Sequence, residues 1–353
     1  LWAGLFGVND TASNLLPVTL YVVVWVGAQV VGGLIGDLWR AVNPLDTLSW
    51  LIEKSVGRTA VPAPPGLGQW PAAAGLFVFL FYELAHPNGS APRTLGWMLL
   101  VHTVVSLALA ARFGRPWLAE HEPFSALFSM IGAMAPLTAE PSGIRLRPLM
   151  SGLSTLPILP GSLATLLVVL GGTTFDGFSE SEAGRSILGR PVGWGGALTQ
   201  TLGLVASIVL VAALFGAGIW WTQRVTSHGA RELADSFTSS LVPIVFGYAI
   251  AHYAQLLVDE TQSFVFRLSD PGGLGWDLFG GADGTVDFTI ISPNVIAWVQ
   301  VLAVLLGHIG AVVVAHDRSV ELFSVKESLR SQFAMLLVMV AYSTLGLWLL
   351  LNA

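Results

Sequence analysis

The sequence has no cysteine and few charged residues. Without cysteine there can be no disulfide framework, no iron–sulfur cluster and no thiolate metal site. Charged residues make up 11% of the 353 residues, whereas soluble domains contain about 25%. A chain with so little charge and 54% hydrophobic residues cannot cover a folded surface in water. The net charge of −6 gives no reason to expect nucleic acid as a partner.

Several motifs that carry chemistry are also missing. The sequence contains no GxSxG, which would place a serine nucleophile on a strained turn, and no phosphate-binding P-loop. It contains no HExxH, and none of its histidine spacings matches a known zinc signature. The sequence therefore gives no catalytic residue by motif.

Long apolar runs dominate what the sequence does contain. A hydrocarbon core about 30 Å thick requires about 20 mostly apolar residues in a helix. Most of the runs reach that length with their flanks, and two of them are short. The pattern predicts an all-α fold, a polytopic transmembrane bundle of seven or eight spanning helices in one domain over residues 1–353. The runs are Leu16–Asp37, Ala72–Ala85, Leu95–Ala111, Gly161–Phe175, Leu202–Trp221, Leu241–Val258, Val295–Ala315 and Ala334–Leu351.

Basic residues alternate between successive loops. Of the 16 Lys and Arg residues, 12 fall in the loops after the first, third, fifth and seventh runs, and the other loops hold 4. Because basic loops stay in the cytoplasm, the richer side is predicted to be the inner face of a bacterial cytoplasmic membrane. Acidic residues such as Asp176, Glu180 and Glu182 are then predicted in outer loops, and both ends of the chain lie outside. Leu1–Val8 resembles the end of a further apolar helix, so we expect upstream helices in the gene product.

Two shorter segments are predicted at the membrane surface. Asn43–Lys54 has the pattern of a helix that lies on the inner face. Pro123–Leu137 is apolar but short, and it is interfacial or re-entrant; if it spanned, every later orientation would invert. Before it, His121 with Glu120 and Glu122 forms an acidic cluster that could bind a cation, although such clusters are more often a solvated surface.

The longest loop, 261–293, is predicted on the outer side. It is rich in Gly, Asp and Trp, with turn sequences at Pro271–Gly273 and Gly280–Gly284. Loops of this length are usually functional or disordered. Its apolar residues, such as Trp276 and Phe279, favour an ordered lid or a surface that binds other membrane or extracytoplasmic subunits.

Ionisable residues occur at membrane depth, where their cost usually implies a role. Glu83 lies near the outer end of the second run, His102 and His308 lie near the middle of theirs, and His252 lies in the outer half of its run. Imidazole and carboxylate ligands suit zinc, copper, iron or haem iron. Together with Asp259, these residues are the predicted metal ligands, and the alternatives are a structural polar network and a proton or ion path.

The sixth run carries a polar stripe. Tyr248, His252, Gln255 and Asp259 recur at helical spacing and share one face. Pro243 is predicted to kink the helix just below this stripe. A kink beside buried polar groups is typical of transporters, so the stripe is also the predicted proton path.

Four stretches resemble a known family. GDLWRAVNPLDTL (36–48), VPIVFGYAIAHYAQLLVDETQ (242–262), DPGGLGWDLFG (270–280) and GHIGAVVVAHDRSVELF (307–323) are similar to actinobacterial polytopic membrane proteins that are often labelled fenitrothion hydrolase. That label implies hydrolysis of organophosphates, for which metal-activated water is the natural mechanism. The resemblance supplies no catalytic residues for this chain.

Three functions remain open at this point. The first is a membrane subunit or accessory protein of a larger complex, around a possible metal or haem site in the outer leaflet. The second is a transporter or ion-conducting protein that uses the polar stripe. The third is the metal-dependent hydrolase that the resemblance implies.

Overall fold

A computed structural model describes residues 1–56, 60–140, 143–189 and 192–352. Arg58 and Arg190, two of the basic residues counted above, lie outside these ranges. The helices, in chain order, are α1 (Trp2–Phe6), α2 (Leu15–Leu34), α3 (Trp39–Val42), α4 (Pro44–Val56), α5 (Trp70–Leu84), α6 (Pro92–Phe113), α7 (Pro116–His121), α8 (Pro123–Gly132), α9 (Ser162–Glu180), α10 (Glu182–Leu188), α11 (Gly193–Val225), α12 (Ala230–Thr238), α13 (Val242–Arg267), α14 (Pro293–Leu322) and α15 (Val325–Asn352). A small antiparallel hairpin pairs β1 (Leu137–Glu140) with β2 (Gly143–Leu146).

The predicted all-α transmembrane bundle is confirmed. Within the described residues, 6 helices are long and apolar enough to cross a membrane, namely α2, α6, α9, α11, α14 and the α12–α13 segment. The shorter α5 has 15 residues, and α15 has 28. The chain is therefore a multi-pass membrane protein surrounded by lipid.

The loops gather at two opposite ends of the bundle. At one end, Leu15 N donates to Pro271 O at 3.1 Å, and Arg93 N donates to Asn9 Oδ1 at 2.9 Å. At the other end, Gln69 N donates to Pro160 O at 2.6 Å. We call the first end the acidic end. We call the second end the basic end, and the C-termini of α2, α6, α11 and α14 lie there. The assignment of the basic end to the cytoplasm stays a prediction.

The most buried helices lie at the centre of the bundle. In α9 and in the α12–α13 segment, 67% of the apolar span is buried, against 22% in α6 and 28% in α11. The middle of α2, Thr19–Gly27, is a π-helix and packs against α13. Because π-helical segments widen the helix and often mark functional sites, this region of the core is a candidate for function. Trp25, in the π-helix, is completely buried.

The short helices α7 and α8 form a re-entrant hairpin, one of the two predicted alternatives for this part of the chain. Before the hairpin, Arg115 binds Asp46 of α4 through its guanidinium group. After it, Leu137 N donates to Ile35 O at 3.1 Å. Both flanks therefore contact the segment that follows α2, at the basic end. Because nearly all of α8 is buried, the hairpin penetrates the bundle and returns without crossing it.

Arg147 fixes the returning end of this hairpin. Its guanidinium group donates to the carbonyl oxygens of Gly132, Ala133 and Ala135 at 2.9–3.0 Å. These carbonyls lie at and just after the end of α8, where a cation is favourable because it opposes the helix dipole. The hairpin is thus anchored after it re-emerges.

Three boundaries bear on the sequence-based expectations. Pro243 lies in the first turn of α13, where a proline is tolerated, directly after the 3-10 turn Ser239–Leu241, so it stands at a helix junction, and the predicted kink stays a prediction. Helix α9 continues to Glu180, so Asp176 lies within a helix and the prediction of an outer-loop position is wrong. Helix α13 continues to Arg267, so the long loop has its irregular part at 268–292.

Candidate functional site

A polar contact in the bundle interior joins α9 and α13. His252 Nε2 lies 2.8 Å from Asp176 Oδ2, and the Tyr253 hydroxyl donates to the same oxygen at 3.0 Å. The side chains of His252 and Asp176 are 14% and 17% exposed, and Tyr253 is 6% exposed. One carboxylate oxygen thus binds two partners from consecutive positions of one helix.

A second carboxylate lies beside this contact. Glu83, near the end of α5, is close enough to Asp176 and Tyr253 to interact with both electrostatically. Its Oε2 atom is buried and has no hydrogen-bond partner within the described part of the chain. We call Glu83, Asp176, His252 and Tyr253 the Asp176 cluster. Two acidic groups that interact electrostatically in surroundings with little water suit the binding of one positive charge.

The predicted stripe on α13 continues on both sides of His252. The rings of Tyr248 and His252 are parallel within 2°, with centroids 6.5 Å apart. Towards the acidic end, Gln255 Nε2 donates to Asp259 Oδ2 at 2.7 Å. The stripe therefore divides into two pairs, Tyr248 with His252 and Gln255 with Asp259. The first pair is connected to the Asp176 cluster, because His252 belongs to it.

His308, on α14, lies on the far side of Tyr248. Its Nδ1 is 2.8 Å from the carbonyl oxygen of Val304, and its buried Nε2 has no hydrogen-bond partner among the described residues. Tyr342 of α15 has its ring 6.2 Å from the rings of both His308 and Tyr248. Its hydroxyl group forms a hydrogen bond of 2.7 Å with Thr174 of α9. Hydroxyl and imidazole groups thus extend from the Asp176 cluster to the middle of α14.

His102 belongs to a separate polar group. Its Nε2 lies 3.2 Å from Glu122 Oε1, and Glu122 is 2% exposed at the tip of the re-entrant hairpin. His121 is also buried, at 5% exposure. The expectation that His121 and Glu122 form a solvated surface is therefore wrong, because the hairpin carries both into the bundle.

The five predicted metal ligands lie in four different surroundings. Glu83 and His252 meet at the Asp176 cluster, whereas His102 pairs with Glu122, Asp259 with Gln255, and His308 with a backbone carbonyl. Across the ranges that the structure covers, no group of three or more His, Cys, Asp or Glu side chains is arranged to hold a metal ion. The metal or haem site stays a prediction.

Tyr253 is the residue of these groups that the sequence pattern did not single out, whereas Asp176 was expected in a loop and Glu122 in a surface cluster that could bind a cation. The apolar run before Asp176 ends at Phe175, so the hydropathy pattern predicts a loop at Asp176. Tyr253 lies beside His252 but off the predicted face of the stripe, and Glu122 follows a helix too short to show a periodicity. Because glycine is a poor helix former, Gly177 gave no signal that α9 continues past Asp176.

Comparisons with protein-family models, with curated proteins and with solved structures found no match to this chain.

Proposed function

We propose that this multi-pass membrane protein binds a proton or a small cation at the Asp176 cluster and carries it across the bilayer. The observation that supports the proposal is the 2.8 Å contact of His252 with Asp176, beside Tyr253 and a second carboxylate, Glu83. Ionisable groups at membrane depth are costly and are typical of ion and proton pathways. A histidine bound to a carboxylate can hold a proton and pass it on, since imidazole exchanges protons near neutral pH.

The proposed role is tested by reconstitution in liposomes that contain a pH-sensitive dye. A potassium diffusion potential drives proton entry, and sodium or lithium gradients test the alternative cations. Asp176→Asn and His252→Gln preserve approximate size and remove the charge or the exchangeable proton, and we expect each to lower flux at least tenfold. Asp235→Asn, on an exposed face of α12, is the matched control and should leave flux unchanged. Wild-type flux in Asp176→Asn would overturn the proposal.

A second candidate function, a membrane subunit that binds other chains, is supported by the loop at 268–292. This loop has defined internal contacts, because Asp270 accepts hydrogen bonds from Leu274 N at 2.9 Å and Gly275 N at 2.7 Å. Trp276 stacks on Trp2 with centroids 5.4 Å apart. Nevertheless Leu278 and Phe279 are 58% and 77% exposed. An ordered loop that exposes large apolar side chains is typical of an interaction surface.

This subunit function predicts a partner at fixed stoichiometry after purification in mild detergent. Leu278→Ser with Phe279→Ser should release that partner without changing the thermal stability of the chain. Val209→Ser, an exposed position on the lipid-facing helix α11, is the control for general loss of apolar surface. Retention of the partner by the loop variant would exclude the loop as its binding surface.

The hydrolase function that the family resemblance implies stays open as a third proposal. His252–Asp176 and His102–Glu122 each provide two side chains of the types that bind zinc or iron, but in the described ranges no group of three such side chains, Glu83 included, is arranged to hold a metal ion. Elemental analysis of the purified protein and of His102→Ala and His252→Ala, with an organophosphate hydrolysis assay, decides the matter. Unchanged metal content in both variants would exclude these histidines as ligands.

A further inference from the structure

The tip of the re-entrant hairpin holds a second buried acid–histidine pair. Glu122 is the N-terminal cap of α8 and accepts hydrogen bonds from Ser125 N at 2.7 Å and from Ser125 Oγ at 2.6 Å. Its other oxygen, Oε1, accepts a hydrogen bond from Phe124 N at 3.2 Å and also faces His102 Nε2 at 3.2 Å. The cap thus engages both carboxylate oxygens, and His102 of α6 is an additional partner that the cap does not require. The adjacent His121 has a buried Nδ1 without a hydrogen-bond partner among the residues described.

Polar side chains connect this pair to the basic end. Asn43, just before α4, donates from Nδ2 to Ser125 Oγ at 2.9 Å, and Trp39 Nε1 lies 3.3 Å from the same oxygen. Asn43 also caps α4 through its Oδ1, which accepts from Leu45 N. Asp46, one turn into α4, binds Arg115 at the start of the hairpin. Glu53, also on α4, accepts a hydrogen bond from Arg115 N. The ionisable side chains joined by these contacts are Glu122, His102, Asp46, Arg115 and Glu53.

Three aromatic rings lie between this pair and the Asp176 cluster. Trp25 and Phe79 have centroids 4.9 Å apart, and Phe79 and Phe124 have centroids 5.2 Å apart. At one side, the Trp25 indole lies against the Tyr253 hydroxyl group. At the other side, the Phe124 ring packs edge-on to His102 with centroids 6.2 Å apart. Trp25 and Phe79 are buried and Phe124 is 7% exposed, so this contact forms a dry aromatic partition.

We infer that Glu122 and His102 form a second binding position for the transported proton or cation, which opens to the basic end and is separated from the Asp176 cluster by Trp25, Phe79 and Phe124. The inference rests on the proposed transport function and assigns its second half-path. A proton moves between His102 Nε2 and Glu122 Oε1 by exchange of one N–H bond for one O–H bond, with no change in oxidation state, while Ser125 and Asn43, which donate towards Glu122, hold the carboxylate in place. Phe124 belongs to the hairpin and Trp25 to the π-helix, so a small movement of either element would open the partition.

The arrangement gives each side of the partition its own carboxylates. Asp176 and Glu83 lie on the side of the acidic end, and Glu122 lies on the side of the basic end. A site that is reached from only one side at a time needs such a barrier. Since each of the three rings comes from a different helix, the barrier is formed only when α2, α5 and α8 pack together.

The inference is tested with the same liposome flux assay and three further variants. Glu122→Gln retains an oxygen that can cap α8, and His102→Gln removes the partner without touching the cap, so at least one of the two should fold. We expect both to lower flux at least tenfold, and Phe124→Ala to raise passive leak several-fold. His228→Gln, near the basic end but outside both polar groups, is the matched control.

A carbodiimide-labelling experiment separates the two sites. Dicyclohexylcarbodiimide modifies protonated carboxyl groups in apolar surroundings, and mass spectrometry identifies the labelled peptide. In Glu122→Gln, labelling of Asp176 or Glu83 should persist while flux is lost. If wild-type protein shows no flux, the proposed function fails. If wild-type protein transports and Asp176→Asn does not, yet folded Glu122→Gln and His102→Gln both transport normally, only the second site is overturned.

Discussion

Asp176 of α9 and His252 of α13 are joined at 2.8 Å across the two most buried helices of the bundle. The pair is 76 residues apart in sequence. The contact needs both helices to be in their native register, and it therefore depends on the fold of the whole bundle. Removing one partner from such a contact leaves a polar group unpaired inside the protein, which is expensive. The pair is thus both a candidate site and a determinant of how the two helices pack.

The Tyr253 hydroxyl group should contribute measurable stability through the same carboxylate. Tyr253→Phe removes a hydrogen bond to a charged group, and such bonds contribute about 1.5–3 kcal/mol. We expect a lower unfolding temperature in detergent. Tyr248→Phe is the matched control, because the Tyr248 hydroxyl makes no hydrogen bond with the described residues. Equal stability of the two variants would show that the Asp176–Tyr253 hydrogen bond makes no net contribution to the free energy of unfolding.

Gly247 and Gly307 allow α13 and α14 to approach closely. A Cβ atom at position 247 would lie 2.5 Å from the carbonyl oxygen of Ala303 and 3.0 Å from the Cα of Gly307. Small residues at helix contacts are typical of membrane bundles. Gly247→Ala should therefore destabilise the protein by about 1–3 kcal/mol through overpacking.

Gly216→Ala is the control for this substitution. No atom lies within 4 Å of a Cβ built at position 216 in α11. There the substitution should be neutral or stabilise the helix by about 0.5–1 kcal/mol. Thermal unfolding of both variants in the same detergent provides the comparison, and a loss of stability at position 216 as large as at 247 would contradict the packing argument.

Arg147 should hold the re-entrant hairpin in place. Arg147→Ala removes three hydrogen bonds to carbonyl oxygens at the end of α8, and we expect a loss of about 1–3 kcal/mol. Arg147→Lys keeps the charge but not the forked geometry, so its stability should lie between those of the wild type and Arg147→Ala. Exposed Arg231 on α12 gives the control Arg231→Ala. Hydrogen exchange of residues 123–132 should increase in Arg147→Ala and not in the control.

Asp37, after the end of α2, should reduce stability at neutral pH. Burial raises the pKa of this carboxyl group above its usual value, although the backbone N–H of Arg40 and its charge oppose the rise. The folded state therefore binds the proton more tightly than the unfolded state does. Stability is highest below the unfolded pKa of about 3.9 and falls as pH rises through the folded pKa.

Asp37→Asn removes this pH-dependent cost and retains an oxygen that can accept from Arg40 N. We expect its unfolding temperature to exceed that of the wild type by about 1–2 °C at pH 7. The difference should shrink on acidification and disappear below the unfolded pKa of about 3.9, where Asp37 is protonated in both states. A difference that grows on acidification would have the wrong sign and would exclude burial as the dominant effect.

The sequence predicted the fold more fully than the site, for reasons that particular residues illustrate. Long apolar runs depend on the bilayer alone, and the helical bundle that they predict is confirmed, whereas the orientation that the basic loops predict stays a prediction. The site depends on which helices touch, and no periodicity contains that information. His252 was identified by depth, but its partner Asp176 was assigned to a loop because hydropathy falls before the helix ends. Glu122 was assigned to a surface because nothing local distinguishes a re-entrant turn from an exposed one.

The orientation of the bundle can be tested directly because the chain has no cysteine. Asp283→Cys lies in the exposed loop of the acidic end, and Asp235→Cys lies on the exposed face of α12 at the basic end. The excess of basic residues at the second end predicts that it is cytoplasmic. A membrane-impermeant maleimide added to intact cells should then label position 283 and leave position 235 unlabelled until the membrane is permeabilised. The reverse pattern would place the Asp176 cluster on the cytoplasmic side of the aromatic partition, and labelling of both positions in intact cells would contradict the two-ended arrangement of the loops.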